Sequence, residues 1–65
     1  MENQIKLLPL GSMARCVRVS AKWLRAEAEA GRIPHLKAGT ALLFNPEVVE
    51  RLLVEWATKG EKVHA

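Results

Sequence analysis

The sequence has no aspartate and no tyrosine, and it contains a single cysteine, Cys16. Its two histidines, His35 and His64, fall in a short predicted strand and in the terminal tail. No cysteine–histidine spacing matches a zinc site, and no glycine-rich phosphate loop is present. Cys16 has no adjacent base, so we expect a buried, inert thiol. These absences argue against an enzyme, and we expect neither a metal nor a cofactor.

Long apolar runs are also missing. The longest run, "ALLF" at residues 41–44, is far shorter than the about 20 residues of a membrane-spanning helix. The chain does not start with positive charge followed by an apolar stretch, as a signal peptide does. A single cysteine allows no internal disulfide, which is typical of a reducing compartment. We therefore predict a soluble cytoplasmic protein that does not contact a membrane.

What the chain does contain is sufficient for one small folded unit. Of its 65 residues, 49% are hydrophobic, which predicts a real core rather than disorder. Such a short domain gains roughly 3–5 kcal/mol of net stability from its core, which suits a binding module. We assign residues 9–59 to this domain, and we expect a flexible arm over 1–8 and a frayed tail over 60–65.

The net charge of +3 is unevenly distributed along the chain. Residues 15–40 hold six basic side chains and two acidic ones, an excess of four positive charges. The remainder of the chain is slightly acidic. A basic middle segment favours a face that binds a polyanion, although a solvated surface is the simpler alternative.

Two helices are predicted in the first half of the chain. Apolar residues at helical spacing indicate a first helix over 10–17. A second helix begins at Ser20, a preferred N-cap residue, and ends before Gly31, so that it covers residues 20–30. Only two or three residues separate the two helices, and such a tight connection predicts a helix-turn-helix.

The second helix has three faces. Its core face consists of Ala21, Leu24 and Ala28, and its solvent face of Lys22, Arg25 and Glu29. The flank between them consists of Trp23, Ala26 and Ala30. Its cations precede its acids, which opposes the helix dipole. A helix amino end attracts phosphate, so this reversed polarity favours a tip that points at a polyanion. Alternatively, Arg25 and Glu29 neutralise each other on a solvated face.

The second half of the chain predicts a hairpin and a third helix. Residues 35–44 read as two short strands around a glycine turn, with inward side chains at Leu36, Leu42 and Phe44. Asn45 is a good N-cap and is followed by proline at the favoured first helical position. The helix that follows ends near Lys59 and Gly60, and its apolar stripe is Val49, Leu52, Leu53 and Trp56.

Several residues across positions 8–57 share the spacing of a known family: Ala14 and Val17, then "VS" at Val19 and Ser20, Leu24, "GRIP" at 31–34, Gly39 and Phe44. In these residues the chain resembles the MerR-like winged helix-turn-helix domains of small excisionase-type DNA-binding proteins. The resemblance implies a mostly α fold with a small β-hairpin wing, in the order helix, helix, hairpin, helix.

The resemblance also implies binding to double-stranded DNA, as an excisionase-like or transcription-regulatory factor. The helix over 20–30 would enter the major groove, and the wing over 35–44 would lie against the adjacent backbone or minor groove. The implied contacts are Ser20, Lys22 and Arg25 on the helix, and Lys37 and Thr40 on the wing.

Two further cations flank the helix tip. Arg15 and Arg18 are interpreted as anchors on the DNA backbone, with surface solubility as the alternative. The family often has glycine where this chain has Arg18. Either Arg18 adopts the left-handed conformation, at a cost of about 1–2 kcal/mol, or the turn has another shape.

A second interpretation is a helical adaptor that docks another protein through the flank formed by Trp23, Ala26 and Ala30. Under the DNA-binding interpretation, Trp23 instead covers the wing or packs toward the last helix. A module this small has modest affinity for one DNA site. We therefore expect homodimers, cooperatively bound neighbours or a protein partner such as a recombinase.

Overall fold

The computed structural model describes residues 6–60. Most of the predicted arm and tail, including His64, therefore lies outside the described residues. Three helices and three strands follow one another along the chain. Their bounds are β1 Leu8–Pro9, α1 Leu10–Val17, α2 Ala21–Glu29, β2 Leu36–Ala38, β3 Ala41–Phe44 and α3 Pro46–Thr58. The predicted order of helix, helix, hairpin and helix is confirmed, and a short strand precedes it.

The sheet is antiparallel and has the order β1-β3-β2. The additional strand β1 aligns Leu8 with Phe44 and Pro9 with Leu43. Proline has no N–H to donate, so it is tolerated on an edge strand of this kind. Because Leu8 pairs with Phe44, the residue that we assigned to the arm forms part of the sheet.

Side-chain caps begin two of the helices, as the sequence predicted. The Ser20 hydroxyl accepts a hydrogen bond from the Trp23 backbone N–H at 3.0 Å. The Asn45 side-chain oxygen accepts one from the Glu47 N–H, also at 3.0 Å. These bonds satisfy amide groups that the first turn of a helix leaves without a partner.

Both α1 and α2 end in a left-handed residue with paired backbone hydrogen bonds, the geometry of a Schellman motif. In α2 this residue is Gly31, with φ of 85°. In α1 it is Arg18, with φ of 62°, the one non-glycine residue of positive φ within residues 6–60. The N–H groups of Arg18 and Val19 donate to Arg15 O at 3.3 Å and Ala14 O at 3.0 Å. The left-handed alternative for Arg18 is thus the one that the chain adopts.

The core lies between the helices and one face of the sheet, and α1 packs against α2, β1, β3 and α3. Its buried side chains are Met13, Ala14, Trp23, Leu24, Ala28, Ile33, Leu42, Phe44 and Val49. Leu52, Leu53 and Trp56 pack against this cluster and remain partly exposed. The predicted apolar stripe of the last helix therefore faces the core, with Val49 as its fully buried member.

Two side chains that were expected in the core are exposed. Leu36 is 53% exposed because it aligns with Leu43, and directly opposed residues point to the same sheet face. Leu42 and Phe44 occupy the core face, so Leu36 and Leu43 lie on the outer face. Ala21 is exposed because it is the first residue of α2, where side chains lean beyond the helix end and away from the core.

Candidate nucleic-acid interface

The amino end of α2 is exposed and carries cations. Ser20, Lys22 and Arg25 are all exposed, with Ser20 at the cap and Lys22 in the first turn. No acidic side chain lies in that first turn. The Ser20 hydroxyl oxygen is used by the cap, yet its O–H can still donate to another group. This helix end therefore offers backbone N–H groups, a hydroxyl donor and positive charge together.

Arg15 and Arg18 bring further positive charge to the same end of the helix pair. Both side chains are exposed, Arg15 in the last turn of α1 and Arg18 at the left-handed residue that ends it. Arg18 precedes the Ser20 cap by two positions. Arg15, Arg18 and Lys22 thus flank the turn between α1 and α2, which we call the α1–α2 corner.

The acids of α2 are each matched by a cation. Arg25 Nη1 lies 3.7 Å from Glu29 Oε2, and both side chains are more than half exposed. Arg32, which follows the helix, binds Glu27 through two hydrogen bonds of 2.6 Å and 3.0 Å. The hydrogen bond from Arg32 holds the pKa of Glu27 below its ordinary value.

The four remaining candidate cations have no carboxylate partner within 4.0 Å among residues 6–60: Arg15, Arg18, Lys22 and Lys37. Surface ion pairs are weak, and Arg25 would exchange Glu29 for a phosphate at little cost. The described part of the chain therefore presents unneutralised positive charge at the α1–α2 corner and on the hairpin.

Lys37 and Thr40 lie on the hairpin, apart from the helix corner. Lys37 aligns with buried Leu42, so its side chain leaves the sheet on the face that packs against the helices. Thr40 lies in the two-residue loop, next to Gly39 with φ of 65°. A positive φ at only the first loop residue is the pattern of a type II′ turn. Both side chains are exposed at or near the hairpin tip.

The flank that the adaptor interpretation requires is not formed. Trp23 is only 6% exposed and belongs to the core, while Ala26 and Ala30 are exposed. The Trp23 Nε1–H is also buried without a hydrogen-bond partner within residues 6–60. The Trp23 indole therefore packs within the core, and an exposed aromatic anchor is absent from this flank of α2.

Exposed apolar side chains lie elsewhere, at Val54 on α3 and on the outer sheet face, which the sequence reasoning missed. Leu7 and Leu36 are both exposed there. They line a groove of about 210 Å³ together with Leu43, Val48 and the neighbouring Pro34, His35 and Asn45. The two-residue loop at Gly39 and Thr40 was the signal that could have placed Leu36 opposite Leu43, and so on this face.

Cys16 is exposed, which corrects the expectation of a buried thiol. It lies beside the apolar stripe of α1, and its Sγ donates a hydrogen bond to Glu50 Oε2 on α3 at 3.4 Å. This bond raises the pKa of Cys16 above its ordinary value. A raised pKa opposes formation of the thiolate, which is the nucleophilic form of cysteine.

Two further features bear on the class of site. Within residues 6–60, no group of three or more histidine, cysteine, aspartate or glutamate side chains could hold a metal ion. None of the helices in this range combines the length and apolarity needed to cross a bilayer.

No family model matches the chain, and no curated protein or solved structure matches it. Function is therefore inferred from the exposed cationic corner and the hairpin.

Proposed function

We propose that the chain binds double-stranded DNA as a small winged helix-turn-helix domain. In this proposal α2 is the recognition helix and the β2–β3 hairpin is the wing. The observation that carries it is the exposed amino end of α2, where Arg18 and Lys22 have no acidic partner within residues 6–60. Helix amino ends and unpaired cations both attract phosphate, and an arginine or lysine can reach guanine edges in the major groove.

The arrangement favours duplex DNA over a general attraction to anions because the contacts divide between two elements. Lys22 and Arg25 lie on one face of α2, one turn apart, as side chains that enter a groove would. Lys37 and Thr40 lie on the hairpin and would reach the adjacent backbone. The role of an excisionase or a transcription regulator follows from the family resemblance alone, and both roles require this same duplex contact.

The size of the module bears on how it would act. A single domain of this kind buries about 600–1,000 Å² of its surface on DNA. If it neutralises about four to six phosphates, log K falls with log salt at a slope of about −4 to −5. Because one such contact gives modest affinity, the proposed assembly includes a second copy, cooperatively bound neighbours or a recombinase.

Fluorescence anisotropy with a labelled duplex, measured at several salt concentrations, tests the proposal. Lys22→Ala and Arg25→Ala should weaken binding and lower the magnitude of the salt slope by about 0.9 each. Lys59→Ala is the matched control, because it also removes one exposed positive charge but lies at the far end of α3. Equal losses in Lys22→Ala and Lys59→Ala would mean that binding follows net charge and involves no particular surface.

A further inference from the structure

The chain leaves α2 through a segment with well-defined geometry. Arg32 forms three hydrogen bonds to the same residue, Glu27. Its backbone N–H donates to Glu27 O at 3.0 Å. Its guanidinium donates from Nε to Oε1 at 2.6 Å and from Nη2 to Oε2 at 3.0 Å. A two-point bond between a guanidinium and a carboxylate fixes direction as well as distance.

The two ion pairs of α2 differ in how firmly their geometry is fixed. The Glu27 side chain is 13% exposed, and both of its carboxylate oxygens accept hydrogen bonds from Arg32. The Arg25–Glu29 pair has a closest contact of 3.7 Å, and both partners are largely in solvent. Exposed single contacts of that kind exchange readily with water and salt, whereas the Glu27–Arg32 pair restricts the segment that follows the helix.

The restricted segment is the connection between the two proposed DNA-contacting elements. After Arg32, the side chain of Ile33 is buried, and His35 Nδ1 lies within hydrogen-bond distance, 3.0 Å, of Ile33 O. Strand β2 then begins at Leu36. The principal packing partner of α2 is α1 rather than the hairpin. Helix α1 packs against both α2 and β3, and the short connection is the stretch of chain that joins α2 directly to the hairpin.

We infer that Glu27 and Arg32 form a positioning pair that holds the hairpin at the angle at which it and α2 can contact one duplex together. This inference rests on the proposed DNA binding. In this inference Arg32 acts through Glu27 rather than through a phosphate, since its Nε and Nη2 both donate to the Glu27 carboxylate. If the two contact elements are already held in the right arrangement in the free protein, less conformational entropy is lost on binding.

Glu27→Gln gives a test whose sign separates a positioning role from a contact role. The substitution adds one unit of positive net charge and releases Arg32, so a phosphate-contacting Arg32 would bind DNA more tightly. If Glu27 and Arg32 are a positioning pair, Glu27→Gln and Arg32→Gln should both weaken duplex binding, by about threefold to tenfold. The salt slope should stay unchanged, because no phosphate contact is lost.

A charge exchange supplies the second variant. Glu27→Arg combined with Arg32→Glu restores opposite charges at the same two positions and should recover much of the lost affinity. Lys22→Ala serves as the contact control, since it should lower the magnitude of the salt slope where Arg32→Gln does not. Tighter binding in Glu27→Gln, or a lower slope in Arg32→Gln, overturns the positioning role and leaves DNA binding itself intact.

The orientation can also be measured without DNA, which keeps the two inferences separable. Residual dipolar couplings report the angle between α2 and the hairpin in the free protein. Glu27→Gln should broaden or shift that angle while circular dichroism shows the helices retained. If the parent chain does not bind duplex DNA, the proposed function fails. If the angle is unchanged in Glu27→Gln, the positioning role fails.

Discussion

Cys16 on α1 donates a hydrogen bond from Sγ to Glu50 Oε2 on α3, across a separation of 3.4 Å. The two residues are 34 positions apart in sequence, so the bond joins the first and last helices. The carboxylate acceptor favours the protonated thiol and so raises the pKa of Cys16 above its ordinary value. An exposed cysteine would otherwise be the most reactive side chain on this surface.

Substitution of Glu50 should therefore accelerate the chemistry of Cys16. Since the thiolate is the reacting species, Glu50→Ala should raise the rate of reaction with a disulfide reagent in the folded protein at neutral pH. Glu47→Ala, one turn earlier on α3, removes an equal charge without touching the thiol and should leave the rate near its original value. Equal rates in Glu50→Ala and the parent chain would contradict the hydrogen bond.

The two faces of the hairpin should differ sharply in their contribution to stability. Leu36→Ala removes a side chain that is 53% exposed and should change the free energy of unfolding by less than about 1 kcal/mol. Leu42→Ala removes a leucine that is 5% exposed and should cost about 2–5 kcal/mol. Urea unfolding followed by circular dichroism measures both. Similar losses in the two variants would place Leu36 in the core after all.

Local signals in the sequence were sufficient for the helices. The Ser20 and Asn45 caps and the glycine at the end of α2 act within one turn of chain, so spacing alone predicted them. The strand β1 was missed because two residues carry no periodicity, and its only support is the pairing of Leu8 with distant Phe44. Pairings of that kind are visible only once the fold is known.

The predicted inward placement of the Leu36 side chain was wrong for a different reason. Apolar character suggested burial, but the hairpin register decides the face, and a two-residue loop fixes that register. At the candidate site, helical spacing predicted the exposure of Lys22 and Arg25. Spacing could not tell that Glu27 is bound by Arg32 from beyond the helix, because the turn at Gly31 brings these two side chains together.

Arg18 should show opposite effects on stability and on DNA binding. Arg18→Gly relieves a left-handed conformation and should raise the free energy of unfolding by about 1 kcal/mol, or the midpoint of thermal unfolding by about 4–8 °C. The same change removes a proposed phosphate contact and should weaken duplex binding. Arg18→Ala is the control, since it loses the cation yet retains the strain. Greater stability in Arg18→Ala than in Arg18→Gly would contradict the backbone assignment.

The Glu27–Arg32 pair should make stability depend on pH in the acidic range. Because the pKa of Glu27 is lower in the folded state than its ordinary value of 4.5, the unfolded chain binds the proton more readily. The stabilisation is therefore complete above the unfolded pKa and disappears as pH falls through the folded one. The difference in unfolding free energy between the parent chain and Glu27→Gln should shrink below about pH 5. The unfolding free energy of Arg32→Gln should likewise lose this dependence on acidic pH. A difference in unfolding free energy between the parent chain and Glu27→Gln that is constant with pH would contradict a Glu27–Arg32 ion pair.

Lys37 and Leu36 are neighbours on β2 that leave the sheet on opposite faces, and they provide the sharpest test of the proposed wing. Lys37→Ala should weaken duplex binding and lower the magnitude of the salt slope by about 0.9, because it removes one proposed phosphate contact. Leu36→Ala changes the adjacent exposed position on the outer face and should leave both quantities unchanged. Anisotropy titrations of the two variants at matched salt measure the difference. If Leu36→Ala weakens binding while Lys37→Ala does not, the outer face rather than the helix-side face meets the DNA.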